Sequence, residues 1–374
     1  MTVEHHRNPS PGPDSFGGPH KTLEALTTAP GRPGQAYVLE SSCGETIYIP
    51  CSRSATRLLV TGKESDNAFA VVGSVGSQSA PIGFHFHREA HDVFLCLKGH
   101  VNVWANDQCR TLGQGDFASV PPGVVHQYQI LGNYTEFVGL IVPGGWEEFF
   151  RFIGEPYNDG PLYPLTDDRN VFEVLIPKLK AAAEKFDMVP VPDHPGVEPQ
   201  PWEVVDDGDN TLPGALEPYF LRAGSGPRYL LGGIVASPLI TTPESNNRFS
   251  IGSIEGSSWH EKLTSSPVSE TFTFNDVHHA FQVADGSMTF ALNNGSDSAN
   301  LNVGETIYIP AGTSFSVRIK SRYAKVYAFI SGAGIMDLLC KAGKPYHQPI
   351  PPEKAQDWDR ASLEALQAEL KFRM

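Results

Sequence analysis

The chain has 374 residues, enough for roughly two or three domains, and its formal net charge is −14. This charge repels phosphate backbones and anionic lipids, so we expect no nucleic acid or membrane partner, and no run of about 18 apolar residues indicates a spanning helix. With 36 glycines, 31 prolines and 19% charged residues, the composition is typical of a β protein rich in turns.

The first segment, residues 1–35, is rich in Pro, Gly and His and is predicted to be a flexible N-terminal arm. Its start is polar and lacks the apolar core of a secretory signal. The five cysteines are an odd number without regular spacing, which favours reduced thiols over a disulfide framework. Both observations favour a cytoplasmic protein.

Short apolar runs bounded by Gly, Ser and Pro predict β-strands from residue 36 onward. The runs are AYVLE, ETIYIP, ATRLLVTG, AFAVVGSV, HVNVWAN and TEFVGLIVP. We expect these strands to form a first barrel over residues 36–154, which makes the predicted fold class all-β.

The densest group of metal-binding side chains lies within this barrel. His85 and His87 are two residues apart, so on a strand their imidazoles leave the same face. Asp92 opens the next strand, and His126 follows a tight turn at residues 121–123. Three imidazoles and one carboxylate suit Fe, Ni, Cu or Zn better than Mg or Ca. We predict a mononuclear site with His85, His87, Asp92 and His126 as ligands, copper or iron as the expected metal, and nickel, manganese or zinc as alternatives.

The role of Asp92 is open at this point, because its carboxylate could be a metal ligand, a base beside the metal, or both. His91 is the other candidate for the fourth ligand position, and we interpret it as an exposed turn histidine. Three histidine ligands leave open positions on the metal, as a catalytic site requires.

The parity of the neighbouring residues predicts the lining of the site. Phe94 and Cys96 lie two and four residues after Asp92, so on a strand they should face the interior as it does. Phe84 and Phe86 alternate with His85 and His87, so they should pack outside. An apolar cavity with one charged cluster suits a flat aromatic substrate that bears an acidic hydroxyl group. The metal would lower the pKa of that hydroxyl, Asp92 would accept its proton, and O2 would be the second substrate.

The spacing of these residues resembles the two-part motif of the cupin superfamily, G(x)5HxH(x)4E(x)6G and G(x)5PxG(x)2H. The first part ends at Gly99 and the second runs from Gly115 to His126. One ligand position differs, because Asp92 stands where the motif has Glu, and its carboxylate is one methylene shorter. The resemblance implies a double-stranded β-helix, or jelly-roll, barrel.

The segment after the first barrel changes character. The stretch GGWEEFFRFIGEP is predicted to start a helix with two acidic residues in its first turn. Residues 155–215 are predicted to be a partly helical, Pro-rich linker. It contains NVFEVLIPKLKAAAEKFDM, a helical pattern that Pro177 should break or kink, and the extended connector VPVPDHPGVEPQP.

A second copy of the motif appears over residues 216–345 when Gly286 is aligned with Gly99. In this copy the three ligand histidines are replaced by Phe272, Phe274 and Phe315. Phenyl rings fill a barrel interior and cannot coordinate a metal, so we predict a metal-free second barrel. His279 takes the place of Asp92, and we interpret it as a buried residue with satisfied hydrogen bonds or a surface residue, not as a ligand.

The last segment, residues 346–374, is predicted to be a C-terminal helix. Leu363, Leu366 and Leu370 have the i, i+3, i+7 spacing of an apolar helix face. This face should dock on a barrel or on a partner subunit, so a homodimer is one expected assembly.

With both barrels placed, the chain resembles the fungal bicupin quercetinases, the quercetin 2,3-dioxygenases. The stretches that carry the resemblance are FLCLKG (94–99), VWA (103–105), LGQGDFASVP (112–121), GLIVPGGWEEFF (139–150) and GPRYL (226–230). The resemblance implies copper in the first barrel, bound by His85, His87 and His126. It also implies that Asp92 takes the hydroxyl proton of the substrate before O2 cleaves the heterocycle with release of CO.

Cupins of similar architecture also act as oxidoreductases in fungal polyketide pathways. The expected function is therefore that of a dioxygenase for a phenolic, flavonol-like or aromatic polyketide substrate, in secondary metabolism or aromatic breakdown. Two alternatives remain open: a non-oxidative metal-dependent cupin (a decarboxylase, isomerase or cyclase) and a non-catalytic binding bicupin. The intact ligand set favours an enzyme over the latter. The sequence has no GxSxG motif, P-loop or GxGxxG motif.

Overall fold

The computed structural model describes residues 21–158, 166–202, 211–261 and 265–374. Residues 1–20 of the predicted N-terminal arm, and parts of the predicted linker, lie outside this description. Within it, strands predominate and the helices are few and short, which confirms the predicted all-β fold class.

The strands of the first half are β1 (Lys21–Thr22), β2 (Ala25–Leu26), β3 (Tyr37–Leu39), β4 (Glu45–Ile49), β5 (Ser54–Val60), β6 (Ala70–Gly76), β7 (His85–Phe86), β8 (His91–Ala105), β9 (Gln108–Leu112), β10 (Phe117–Val120), β11 (His126–Val142), β12 (Glu155–Pro156) and β13 (Val189–Pro190). The strands of the second half are β14 (Tyr219–Leu221), β15 (Tyr229–Leu231), β16 (Ile234–Ile240), β17 (Ser250–Gly256), β18 (Phe272–Phe274), β19 (His279–Asp285), β20 (Ser287–Leu292), β21 (Asp297–Asn302), β22 (Thr306–Ile309), β23 (Ser314–Ile319), β24 (Ala324–Ile330), β25 (Lys344–Pro345) and β26 (Phe372–Arg373).

The helices are α1 (Gly62–Ser65), α2 (Glu147–Ile153), α3 (Val171–Val174), α4 (Ile176–Lys185), α5 (Ser258–Glu261), α6 (Ile335–Ala342), α7 (Arg360–Glu364) and α8 (Gln367–Leu370), with 3-10 turns at Pro267–Ser269 and Asn293–Gly295. Among the described residues, no helix has the length and apolar character needed to cross a membrane.

One continuous sheet forms the walls of the first barrel. Its main path is β12-β4-β5-β6-β11-β8-β10-β14. Off this path, β9 pairs with β8, β7 pairs with β11, and β13 pairs with β7. Each long strand takes part in two walls because each changes direction midway. Strand β8 turns at Gly99, whose φ of 70° favours glycine, and β11 has a register shift between Leu131 and Glu136.

The second half has two separate sheets. A nine-stranded sheet has the order β2-β3-β22-β19-β24-β17-β16-β15-β25, and a six-stranded sheet has the order β1-β21-β20-β23-β18-β26. Here the counterpart of β8 is divided into β19 and β20, and Gly286 between them has the same φ of 70° as Gly99. The predicted alignment of these two glycines therefore places them at the same corner of the two barrels.

Short strands of each half join the sheets of the other, and β1 and β2 lie with β3 in the second-half sheets. Strand β3 pairs with β22 of the second half, and β14 pairs with β10 of the first half. The exchange is reciprocal: Tyr37 on β3 donates its hydroxyl hydrogen to the Leu59 carbonyl, and Tyr219 on β14 donates to the Leu239 carbonyl. The five predicted domain segments remain a prediction, because strand pairing alone does not define folding units.

The helices follow the local sequence signals. Helix α2 has Glu147 and Glu148 in its first turn, as predicted. The predicted break at Pro177 is present, because α3 ends at Val174 and Pro177 lies in the first turn of α4, where its missing N–H costs no helical hydrogen bond. The C-terminal helical segment is divided into α7 and α8, and it docks on the second barrel through the buried Leu363 and Leu370.

Aromatic rings fill the interior of the second barrel. Phe272, Phe274 and Phe315 are each 1% exposed, and Phe372 of β26 stacks on Phe274 with ring centroids 5.2 Å apart. His279 is buried among these rings, and its Nε2 accepts a hydrogen bond from the backbone N–H of Ile335 at 3.3 Å. The rings offer no ligand atoms, although the absence of metal from this barrel remains a prediction.

Candidate metal centre

Neighbouring strands bring the predicted ligands to one end of the first barrel. His85 on β7 lies directly opposite His126 on β11 in the antiparallel register. His87 follows two residues after His85, so its side chain leaves on the same side. Asp92 lies near the start of β8, where it pairs with Ile141 of β11. The structure thus brings together the four residues that the sequence predicts as ligands, and their roles toward a metal remain predictions.

Backbone carbonyl groups orient all three imidazoles. The Nδ1 of His85 lies 3.0 Å from the Gly83 carbonyl oxygen, and the Nδ1 of His126 lies 2.9 Å from that of Val124. The Nδ1 of His87 makes the same contact with the carbonyl oxygen of Asp187. A carbonyl oxygen can only accept, so each Nδ1 carries a hydrogen. In the neutral imidazole the lone pair therefore lies on Nε2, the arrangement in which histidines bind metals.

The three histidines converge inside the barrel. One ring nitrogen from each lies within 4.8 Å of those of the other two, and they form the metal-binding group found among the described residues. Ring centroids are 4.4 Å apart for His85 and His126, and 5.1 Å apart for each pair that includes His87. The Nε2 atoms of His87 and His126 are buried without a hydrogen-bond partner. Buried polar atoms are normally satisfied, so this donor set fits a bound transition metal.

Asp92 completes the cluster on one side. Its Oδ2 is 3.3 Å from the Nε2 of His87 and 3.5 Å from the Nε2 of His126, and its side chain is 16% exposed. Its Oδ1 is buried without a hydrogen-bond partner. One carboxylate oxygen therefore faces the histidines, and the other is free to accept a proton or a hydrogen bond.

The electrostatics of the cluster favour a cation. Burial, together with the imidazoles of His126 and His87, lowers the pKa of His85 to about 3. Burial alone would raise the pKa of Asp92, but the imidazoles of His87 and His126 hold it well below its usual range. Burial also opposes protonation of His87, but the Asp92 carboxylate raises its pKa above the ordinary value. An ionised carboxylate beside a neutral His85 is the state that a divalent cation requires.

The interpretation of His91 as an exposed turn residue is wrong. His91 is completely buried, its Nε2 lies 2.9 Å from the hydroxyl oxygen of Ser119, and its ring packs against Phe249 of the second half at 4.9 Å. Burial lowers its pKa to about 3. The second half covers this side of the first barrel, which local sequence could not reveal, and His91 does not belong to the metal-binding group.

Aromatic side chains line the interior behind the cluster. Phe94 lies 5.7 Å from Tyr128 and 5.8 Å from Phe137 between ring centroids, and the buried Cys96 belongs to the same core. Burial, with a smaller contribution from Asp92, raises the pKa of Tyr128 to about 12. Burial raises the pKa of Cys96 to about 12, so its thiol is neutral and unreactive near pH 7.

Phe84 lies on the outer side of the barrel, as its parity predicts. It packs against Trp104 at 6.2 Å and against His194 of the linker at 4.4 Å between ring centroids.

Two residues beside the cluster were not identified from the sequence. Trp146 packs edge-on against His87 at 4.6 Å between ring centroids, and its buried indole N–H has no hydrogen-bond partner. Asp187, on the linker, accepts the hydrogen of His87 Nδ1. Trp146 lies within the quoted stretch GLIVPGGWEEFF, so the resemblance could have identified it, whereas Asp187 is 100 residues from its partner and carries no local signal.

Comparisons with known proteins find the following similarities. A family model described as a cupin domain matches residues 74–142. A quercetin 2,3-dioxygenase of Aspergillus japonicus is 29% identical over 302 residues, which cover 75% of this chain and 85% of that protein. A quercetin 2,3-dioxygenase of Bacillus subtilis is 34% identical over 145 residues, 39% of this chain and 42% of that protein. Solved structures that are similar include an oxalate decarboxylase from Bacillus subtilis, with a TM-score of 0.46, 17% identity and coverage of 82% of this chain and 78% of that one.

Proposed function

We propose that this chain, a quercetinase-like bicupin protein, is a metal-dependent dioxygenase that acts with O2 on a small phenolic substrate. The observation that carries the proposal is the convergence of three ligand nitrogens within 4.8 Å of one another beside a carboxylate, in a barrel lined by aromatic side chains. The similarity to quercetin dioxygenases supports the reaction class.

The metal would be held by His85, His87 and His126, with Asp92 as ligand, base or both. Copper or iron suits this nitrogen-rich set, and nickel, manganese and zinc are the alternatives. When bound, any of these metals would acidify a coordinated hydroxyl group, and the redox-active ones, copper and iron first among them, would also supply redox chemistry, which zinc cannot.

Asp92 is suited to hold and move the substrate proton. The neighbouring imidazoles keep the carboxylate ionised near neutral pH, and its buried Oδ1 has no other partner. Because a lowered pKa also makes the carboxylate a weaker base, the transfer depends on a metal that acidifies the substrate hydroxyl. A hydroxyl group placed beside this oxygen can donate its proton to it, which leaves an electron-rich phenolate for reaction with O2.

The aromatic residues behind the cluster suit a flat aromatic substrate. Phe94, Tyr128 and Phe137 present ring faces and edges, which pack well against a flat aromatic molecule. The neutral phenol of Tyr128 can donate a hydrogen bond to a substrate oxygen. A flavonol-like compound or an aromatic polyketide matches this lining, and either would place the reaction in secondary metabolism or aromatic breakdown.

The test combines metal analysis of the purified chain with O2 uptake on a panel of flavonols and aromatic polyketides, with CO measured in parallel. We expect metal near one equivalent per chain, and O2 consumption that requires it. Turnover that continues without O2, or that survives replacement of the metal by zinc, would instead identify a decarboxylase, isomerase or cyclase. Metal binding without turnover of any compound would favour a binding protein.

A further inference from the structure

The loop between the ligands His87 and Asp92 is held from outside the barrel. This loop, residues 88–91, carries no ligand in the predicted set, yet it sets the distance between His87 and Asp92. Charged side chains from two distant parts of the chain, Asp187 of the linker and Arg248 of the second half, bind its backbone.

Asp187 binds the loop and His87 together. Its carbonyl oxygen accepts the hydrogen of His87 Nδ1. Its carboxylate accepts three backbone N–H groups, from Arg88 at 2.8 Å, Glu89 at 2.7 Å and Ala90 at 3.2 Å. The strand β13 that follows pairs with β7, so the linker is fastened to the ligand strand itself.

Arg248 holds the other side of the loop. Its guanidinium donates to the carbonyl oxygen of Glu89 at 2.9 Å and to that of Val142 at 3.3 Å. The next residue, Phe249, packs against His91. The guanidinium thus donates two hydrogen bonds to backbone carbonyls of the first barrel. These bonds are charge-assisted, and such bonds are stronger than neutral ones.

An internal repeat shows that the contact made by Arg248 is absent from the equivalent position of the other half. The segments TGKESDNAF (61–69) and TTPESNNRF (241–249) are equivalent, and their Thr and Glu side chains make the same hydrogen bonds within each segment. Ala68 stands in the first copy where Arg248 stands in the second. The segment with the arginine faces the barrel with the histidines, and the segment with the alanine faces the barrel filled by phenylalanine.

The same asymmetry holds for Asp187. Strand β26 pairs with β18 in the second barrel as β13 pairs with β7 in the first. This register makes Lys371 the counterpart of Asp187. The carboxylate that binds three N–H groups is therefore present only on the barrel that carries the histidines.

We propose that Asp187 and Arg248 are positioning residues that hold the His87–Asp92 loop in the geometry needed for metal binding, and that the second half contributes to the metal centre in this way. The inference rests on the proposed metal site. Loss of either contact lets His87 and Asp92 move apart, which lowers the affinity of the site for the metal although every ligand is still present.

The test measures Cu(II) binding and the Cu(II) electron paramagnetic resonance spectrum for Asp187→Asn and Arg248→Ala. Arg248→Ala installs the residue found at the equivalent position, Ala68. We expect the Kd for Cu(II) to rise roughly 10- to 100-fold in each variant, as when partners behind metal ligands are removed, together with altered spectral parameters. Arg248→Lys retains one donor and should recover part of the affinity. Matched controls are Asp193→Asn on the exposed linker and Arg322→Ala on the surface of the second half.

The outcomes separate this inference from the proposed function. Wild-type affinity and spectra in both variants would overturn the positioning role, even if their thermal stability falls. A wild-type chain that binds Cu(II) with high affinity but consumes no O2 would refute the dioxygenase and leave the positioning role intact. A wild-type chain without metal affinity would refute both.

Discussion

His85 and Phe272 occupy the same place in the two barrels. His85 lies opposite His126 across antiparallel strands, and Phe272 lies opposite Phe315 in the same way. One strand framework therefore presents imidazoles in the first barrel and phenyl rings in the second. Under the proposed function, the first barrel carries the metal chemistry and the second contributes stability.

The phenylalanine core of the second barrel should contribute to stability and not to metal binding. Phe315 is 1% exposed and contacts Phe272, Phe274 and His279. We expect Phe315→Ala to lower the free energy of unfolding by about 3–5 kcal/mol, because it removes a large buried ring and leaves a cavity. Urea denaturation measures this change, and metal analysis of the folded variant should give the wild-type content. A variant with unchanged stability, or with less metal, would contradict this assignment of roles to the two barrels.

Removal of one ligand histidine should abolish metal binding. In His126→Ala one of the three converging nitrogens is lost, and the Oδ2 of Asp92 loses a neighbour at 3.5 Å. We expect metal content to fall to background and O2 uptake to fall with it. The matched control is His100→Ala, which removes an exposed histidine from the same barrel. Stoichiometric metal in the His126 variant would show that the binding site lies elsewhere.

The site was largely predictable because its geometry is local. The spacing of His85 and His87 requires only the alternation of a strand, and the turn before His126 requires only its Pro and Gly residues. The filled second barrel could be predicted for the same reason, since the glycine corners Gly99 and Gly286 gave the alignment.

The surroundings of the site could not be predicted, because they depend on contacts between distant parts of the chain. His91 is buried by Phe249 of the second half, and Asp187, which contacts His87, lies at the end of a linker stretch whose sequence predicts only a helix. The pairing of β3 with the second half and of β14 with the first half also does not follow from the order of the strands in the sequence. The repeat at residues 61–69 and 241–249 indicates two equivalent loops, but it does not indicate that each contacts the opposite half.

Neutralisation of Asp92 should separate its two candidate roles. Asp92→Asn keeps the size of the side chain but removes the carboxylate between His87 and His126. If Asp92 acts as the base, turnover should fall roughly 10²- to 10⁴-fold while the metal is retained. Loss of metal would show that the carboxylate is also a ligand. The control is Asp92→Glu, which installs the acid of the cupin motif and should keep both metal and activity. Wild-type turnover in Asp92→Asn would exclude the carboxylate as base.

Acidification should destabilise the chain through its buried neutral histidines, and His279 provides the clearest test because it lies in the second barrel and is not one of the proposed ligands. Burial lowers its pKa to about 3, so the folded chain keeps it neutral while the unfolded chain protonates it near its ordinary pKa of 6.5. The unfolded state thus binds more protons between these values, and stability present above pH 6.5 is lost as the pH falls toward 3.

This single histidine should contribute a slope of up to about 1.4 kcal/mol per pH unit within that window. His279→Gln keeps an acceptor for the Ile335 N–H but cannot titrate, so its free energy of unfolding should depend less steeply on pH between 7 and 5. Urea denaturation of the metal-free protein at a series of pH values measures the slope. His347→Gln, at an exposed position, is the control and should keep the wild-type slope. An equal slope in the His279 variant would mean that this imidazole does not stay neutral in the folded chain.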